Sequence, residues 1–402
     1  MIFYYLLVLS LPLVEHAIFG ARVGGMTVIK YVGLICLGYA LFSLIGRQRS
    51  PQFLATAQAQ ALLVFFCMAL VSYVLHGSSE LGAALGALTT YLAHLVFFVI
   101  TLIVVSSLER LRRVLLCAIG AMGLASLYVL REWQGGSSVY GAGYRPGYVT
   151  GDPNFYAAST VLCLPLAFCW ALDQRPALER LWCVGGLLAG LAGSMVAASR
   201  GGFAGLLVGM AFLVWHSPRR ARNFTVGAGA LMLFLGFSPT SPLKRILNPV
   251  HGDQEAADVR LQLWAGALNM VKERPLTGFG LASFKTQVGP YSDLPEDVRF
   301  AAHNAYLEIA VEMGVPGLLA LVALIYLSCR GVDRVRRLTR RTGPPTLHRA
   351  ALGIEAGLIG YAVSLVFVSG LFLKVFWLML FLSMCLPALQ PQARIEQEAE
   401  AA

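Results

Sequence analysis

The sequence predicts an all-α, polytopic membrane protein of about twelve transmembrane helices, with one long outer loop that contains a short amphipathic helix. Three observations predict it: composition, the recurrence of long apolar stretches, and the placement of Lys and Arg between them. Of 402 residues, 57% are hydrophobic and 13% are charged, and mean hydropathy is +0.68. Soluble domains carry roughly 25% charged residues, so a soluble fold is excluded.

Crossing ~30 Å of hydrocarbon takes about 20 apolar residues, and such stretches recur along the chain. The predicted spans are 2–19, 26–46, 58–76, 84–106, 113–131, 154–172, 181–199, 202–216, 223–238, 304–328, 350–369 and 371–389. The first lacks a basic leading region and carries Glu15 and His16, so it reads as a retained helix rather than a cleaved signal. The chain divides into helices one to nine (1–238), a long outer loop (239–302), helices ten to twelve (303–389) and an inner tail (390–402).

Cytoplasmic loops retain Lys and Arg. With the N-terminus inside, more than half of the 31 basic residues fall in inner loops, among them Arg110, Arg112 and Arg113 and the run from Arg330 to Arg349. The net charge of +10 is therefore a topology signal, and no motif points to a nucleic-acid partner; the bilayer is the partner this pattern implies. The eight cysteines sit in or at the inner ends of spans, with no CxxC pair to suggest a metal.

Two outer segments exceed a turn, Glu132 to Pro153 and Ser238 to Ala302. A twelve-helix transporter divides six plus six around a central inner loop, with halves that resemble each other. Here the long loop is outside and no repeat is found. Within it, Val259, Leu263, Ala267 and Val271, with Trp264 and Leu268 beside them, recur at helical period until Pro275. That predicts an amphipathic helix over the outer mouth of the bundle. Leu276–Phe284 then reads as a Gly-rich turn, and Asp293, Glu296 and Asp297 form an acidic patch with no metal-binding spacing.

Four elements can carry chemistry. Arg200, in the tight hairpin Ser199-Arg200-Gly201-Gly202, opposes the positive-inside trend. It is either a snorkelling anchor or an anion ligand, since guanidinium grips phosphate oxygens with two parallel donors; Gly201 and Gly202 would let the backbone approach that anion. Arg260 lies on the first turn of the loop helix, four residues before Trp264. Along Ala302–Gly317, helical spacing puts Asn304, Glu308 and Glu312 on one face and His303 and Tyr306 on an adjoining one, and carboxylates at a span need a polar cavity or partner. Gly314 and Pro316 bend or break this helix. Asp152 with Pro153 is a standard start for the sixth span, and Arg145 before it is a candidate for a further outer-face anion contact.

The sequence resembles the O-antigen ligase and polymerase family of bacterial envelope enzymes, which includes protein O-oligosaccharyltransferases. The matching pieces are SRGG at 199–202, VRLQLWAGALNMVKERPLTGFGLASF at 259–284 and HNAYLEIAVEMGVPGLL at 303–319. The resemblance implies an enzyme of the bacterial inner membrane, working at its periplasmic face on an undecaprenyl diphosphate-linked glycan, with no metal or other cofactor. It implies that Arg200 and Arg260, with Arg145 as a further contact, bind the diphosphate and that His303 is the catalytic base. Asn304, Tyr306, Glu308, Glu312 and Asp152 are candidate contacts to sugar or acceptor. The expected acceptor is lipid A-core, as in a ligase. A polymerase acting on another lipid-linked repeat is the alternative, and the lack of an extra C-terminal domain argues against a protein transferase. From another class, a transporter using the same arginines needs no general base.

Overall fold

A computed structural model of the chain describes residues 1–13, 16, 18–23, 26–44, 56–76, 81–140, 144–147, 151–172, 176–217, 219–237, 251–295 and 299–401. The helices are α1 (Ile2–Ser10), α2 (Val28–Leu44), α3 (Ala57–His76), α4 (Leu81–Val104), α5 (Leu108–Tyr140), α6 (Pro153–Ala171), α7 (Ala177–Ala197), α8 (Arg200–His216), α9 (Arg220–Phe237), α10 (His251–Glu273), α11 (Phe284–Gln287), α12 (Ala305–Thr342), α13 (Pro345–Ser364) and α14 (Lys374–Ala401). Two 3-10 turns, Gly289–Tyr291 and Gly370–Phe372, and a two-residue antiparallel pairing of β1 (Arg22–Val23) with β2 (Met26–Thr27) complete the order.

The chain is a multi-pass membrane protein. Among the described residues, six helices are long and apolar enough to cross a membrane: Ala57–His76, Gly82–Val104, Leu108–Val139, Pro153–Ala171, Ala177–Ala197 and Ala305–Arg340; Val28–Ser43, Arg200–His216 and Lys374–Gln390 are shorter apolar helices. The predicted first span, 2–19, is not one helix. Pro12 has no N–H to donate and its ring crowds the carbonyl four residues back; that carbonyl, of Val8, accepts the Leu11 N–H instead, and the helix closes at Ser10. Nine residues rise about 14 Å, too little to cross. The predicted outer segment from Glu132 is shorter than expected, because α5 runs on to Tyr140.

At the centre α6 is buried on nearly all sides and packs on α7, α8 and α13. Small residues make the close approach possible: a Cβ at Gly360 would meet Val161 Cγ1 at 2.8 Å, and one at Gly209 would meet the Ala356 carbonyl oxygen at 2.7 Å. Gly186, Gly190, Gly353 and Gly357 face inward as internal packing, whereas Gly82 and Gly86 have nothing close to them. Because backbone blocks the space at Gly360, Gly360→Val should lower stability by about 1–3 kcal/mol or more. Thermal unfolding in detergent checks this, and an unchanged midpoint would refute the close α8–α13 contact.

Chain direction divides the bundle into two ends. α6, α8 and α12 start, and α7 and α13 finish, at one end. At the other, Arg112 of α5 pairs with Glu179 of α7, and Arg336 of α12 pairs with Glu355 of α13 at 2.6 Å and with Asp333 at 2.5 Å. The basic runs of the sequence gather at that second end.

Candidate functional site

At the first end α7 and α8 join through two residues. Ala198 closes α7 in the left-handed conformation, and Ser199 caps α8 by accepting the Gly202 N–H at 3.3 Å. Arg200 is thereby fixed as the first residue of α8. Beside it Asp152 caps α6, accepting the N–H groups of Asn154 and Phe155. Arg145 is pinned across both helices: Nε donates to the Ala197 carbonyl at 2.9 Å and Nη2 to Asn154 Oδ1 at 2.9 Å.

Helix α10 lies over this end. It buries Leu263, Ala267 and Met270 against Phe279, Phe284, Val288, Ala302 and Val311, with Val259, Trp264 and Val271 at the margin. Leu268, expected on this face, is 51% exposed; Met270 fills the inward position. The helix starts at His251, so Arg260 sits in its interior rather than on its first turn. Most of the predicted acidic patch, Glu296 and Asp297, lies outside the described residues.

The two carboxylates of α12 anchor loops. Glu308 Oε1 accepts the Ala302 N–H at 3.0 Å and the Ser369 hydroxyl at 2.6 Å. Glu312 accepts the N–H groups of Ala282 and Phe284, and the Phe279 and Gly280 N–H groups bond to the Val311 and Glu312 carbonyls. The Gly-rich turn docks where α12 breaks at Gly314 (φ 70°, ψ −178°); the freed N–H of Val315 reaches the Pro275 carbonyl at 2.7 Å. Asn304, not His303, caps α12, through Tyr306 and Leu307, and the Tyr306 hydroxyl donates to the Ala362 carbonyl at 2.8 Å. Asn304, Tyr306, Glu308 and Glu312 are thus each engaged by hydrogen bonds within the protein.

The elements meet around one cavity of about 370 Å³, lined by Arg145, Asn154, Ser199, Arg200, Gly201, Ala257, Arg260, Leu261, Trp264 and Phe367. The three arginines come from separate elements, and all three are half-buried. Burial holds the Arg260 guanidinium below its ordinary pKa; Arg200 pushes the same way and Asp152 against it. Arg145 is lowered by burial, opposed by Asp152, and lowered further by Arg260 and Arg200. Three cations around a shared space give it a positive field that can attract an anion. Gly201 and Gly202 serve packing: a Cβ at Gly202 would meet the Ala157 methyl at 2.7 Å, and one at Gly201 would press into Phe367, while Gly201 also lines the cavity.

His303 is not among the residues lining this cavity; its backbone is in the left-handed region (φ 49°), rare for a residue other than Gly. It is half-buried, and its Nδ1 has no hydrogen-bond partner. Burial lowers its pKa below the usual histidine value; Arg260 and Lys285 push the same way and Asp152 opposes them. Burial thus favours the neutral imidazole, which lies within the electrostatic reach of Arg260 and Asp152. Its tie to α10 was not legible in the sequence: Trp264 Nε1 donates to the Ala302 carbonyl at 2.8 Å.

Residues 185–322 match the family model described as O-antigen ligase. No curated protein matches the chain. The matched segment runs from α7 to α12 and carries Arg200, Arg260 and His303; Arg145 and Asp152 precede it. Residues 185–322 are thus similar to the O-antigen ligase family that the sequence pieces pointed to.

Proposed function

We propose that the protein is an O-antigen ligase-type glycosyltransferase that moves glycan from undecaprenyl diphosphate to a hydroxyl of lipid A-core. One observation carries this reading: three guanidinium groups from three elements line one cavity, and His303 lies within the electrostatic reach of one of them, Arg260. Arg200 and Arg260 bind the diphosphate, and Arg145 adds a third cation while holding the α6 and α7 ends together. The acceptor hydroxyl oxygen attacks the anomeric carbon, the bond from that carbon to the phosphate oxygen breaks, and the electron pair leaves with the diphosphate. The arginines stabilise the charge that develops there. His303 takes the hydroxyl proton. Asp152 keeps its capping role.

Charge supports the proposed side of the membrane. The cavity lies at the end opposite the Arg112 and Arg336 clusters, and basic loops stay in the cytoplasm. In the bacterial inner membrane the cavity then faces the periplasm, where a lipid-linked glycan is presented.

Lipopolysaccharide from a strain lacking the protein tests the acceptor. Loss of all O-antigen from lipid A-core, with carrier-bound polymer still present, is the expected result. Core bearing a single repeat would move the protein to the polymerases of the family, and unaltered lipopolysaccharide would end both assignments.

A further inference from the structure

The turn bearing His303 is held on both sides of the backbone that precedes it. Ala302 is fully buried. Its N–H is held by Glu308, itself tied to Ser369, and its carbonyl by the Trp264 indole. On the other flank the Ala305 N–H donates to the Leu365 carbonyl at 2.9 Å. A left-handed His is kept only where its surroundings over-determine it, and these contacts supply that constraint. Trp264 is also one helical turn from Arg260, and both line the cavity. The element that presents a cation to the anion is therefore the element that pins the base.

We propose that Trp264 and Glu308 are positioning residues for His303. Trp264 couples the cavity to the imidazole through the rigid frame of α10, and Glu308 fixes the same turn from α12. The proposal rests on the reading of His303 as general base. It extends that reading by making the setting of the base depend on an aromatic N–H rather than on a side-chain partner of the ring. The charged groups that act on His303 are Arg260 from α10, Asp152 from the α6 cap and Lys285 from α11. Releasing the turn weakens both burial and the Arg260 field, so the imidazole moves toward its ordinary pKa.

The test compares wild type, Trp264→Phe, Glu308→Gln and Glu308→Ala, each reconstituted at full length. Trp264→Phe keeps a ring and deletes only the N–H; Glu308→Gln keeps an amide oxygen able to accept from both Ala302 and Ser369. Two readouts are taken: the pH profile of glycan transfer, and the pH dependence of His303 carbethoxylation, followed by mass spectrometry, which reports the neutral ring without requiring turnover. In Trp264→Phe and Glu308→Ala, kcat should fall at least tenfold with donor KM within threefold, and the carbethoxylation midpoint should rise toward 6.5. Glu308→Gln should stay within threefold of wild type in both readouts. An unchanged carbethoxylation midpoint in Trp264→Phe overturns the positioning role whatever the activity does. If His303→Asn keeps full turnover while the midpoint still shifts, the base assignment falls and the structural coupling stands.

Discussion

Replacing His303 by Asn should lower glycan transfer by about 10²–10⁴-fold, the usual contribution of a positioned general base. Asn is the informative substitution because it tolerates the left-handed backbone that His303 adopts, whereas Ala adds strain to the loss of the imidazole. The measurement is turnover of a lipid-linked donor by purified protein in liposomes. The pH dependence carries a sign that follows from the geometry. Burial, reinforced by Arg260 and Lys285, holds the His303 pKa below the usual value, so wild-type activity should persist on acidification past pH ~6.5 and fall only as the ring takes a proton. The variant should show no such acid limb. Near-normal turnover in the variant would remove His303 from the chemistry.

Arg260→Ala should cost about 10²–10³-fold in kcat, the range seen when one donor to a developing anion is removed. Arg260→Lys should recover only part of that, because an ammonium keeps the charge but not the planar two-donor fork. Binding is read separately by thermal shift. A diphosphate lipid at one hundred times its Kd stabilises the folded protein by about 2.7 kcal/mol, and the shift should shrink in both variants. Without ligand, Arg260→Ala should be no less stable than wild type, since Arg260 is opposed by burial and by Arg200. Arg145→Ala should behave differently: it also loses the bonds to Ala197 and Asn154 and so should destabilise the empty protein. Unaltered kcat and unaltered shift in Arg260→Ala would dissolve the anion site.

Much of the fold was legible because the bilayer simplifies the code. Apolar length marks helices, and basic residues mark one end of the bundle. The amphipathic α10, the turn at 276–284 and the break at Gly314 were each readable from local signals: period, Pro275, and glycine. The first span was misread because hydropathy ignores a single Pro12, which sets the end of α1 by removing one donor. The packing role of Gly201 and Gly202 was not legible, because a glycine beside an arginine suggests anion contact as readily as tight packing, and only the tertiary structure brings Ala157 and Phe367 against them.

The same division holds at the site. By itself the sequence singled out residue types suited to phosphate and proton chemistry, Arg145, Arg200, Arg260 and His303; the family match at 185–322 spans the last three. Only tertiary structure decided that the three cations share one cavity. It also gave Asn304, Glu308 and Glu312 roles as caps and clamps, and joined Trp264 to Ala302. The physical reason is range. Charge, apolarity and helical period are properties of a residue and its near neighbours, whereas a hydrogen bond across 38 positions depends on where packing of the whole bundle brings two backbones together.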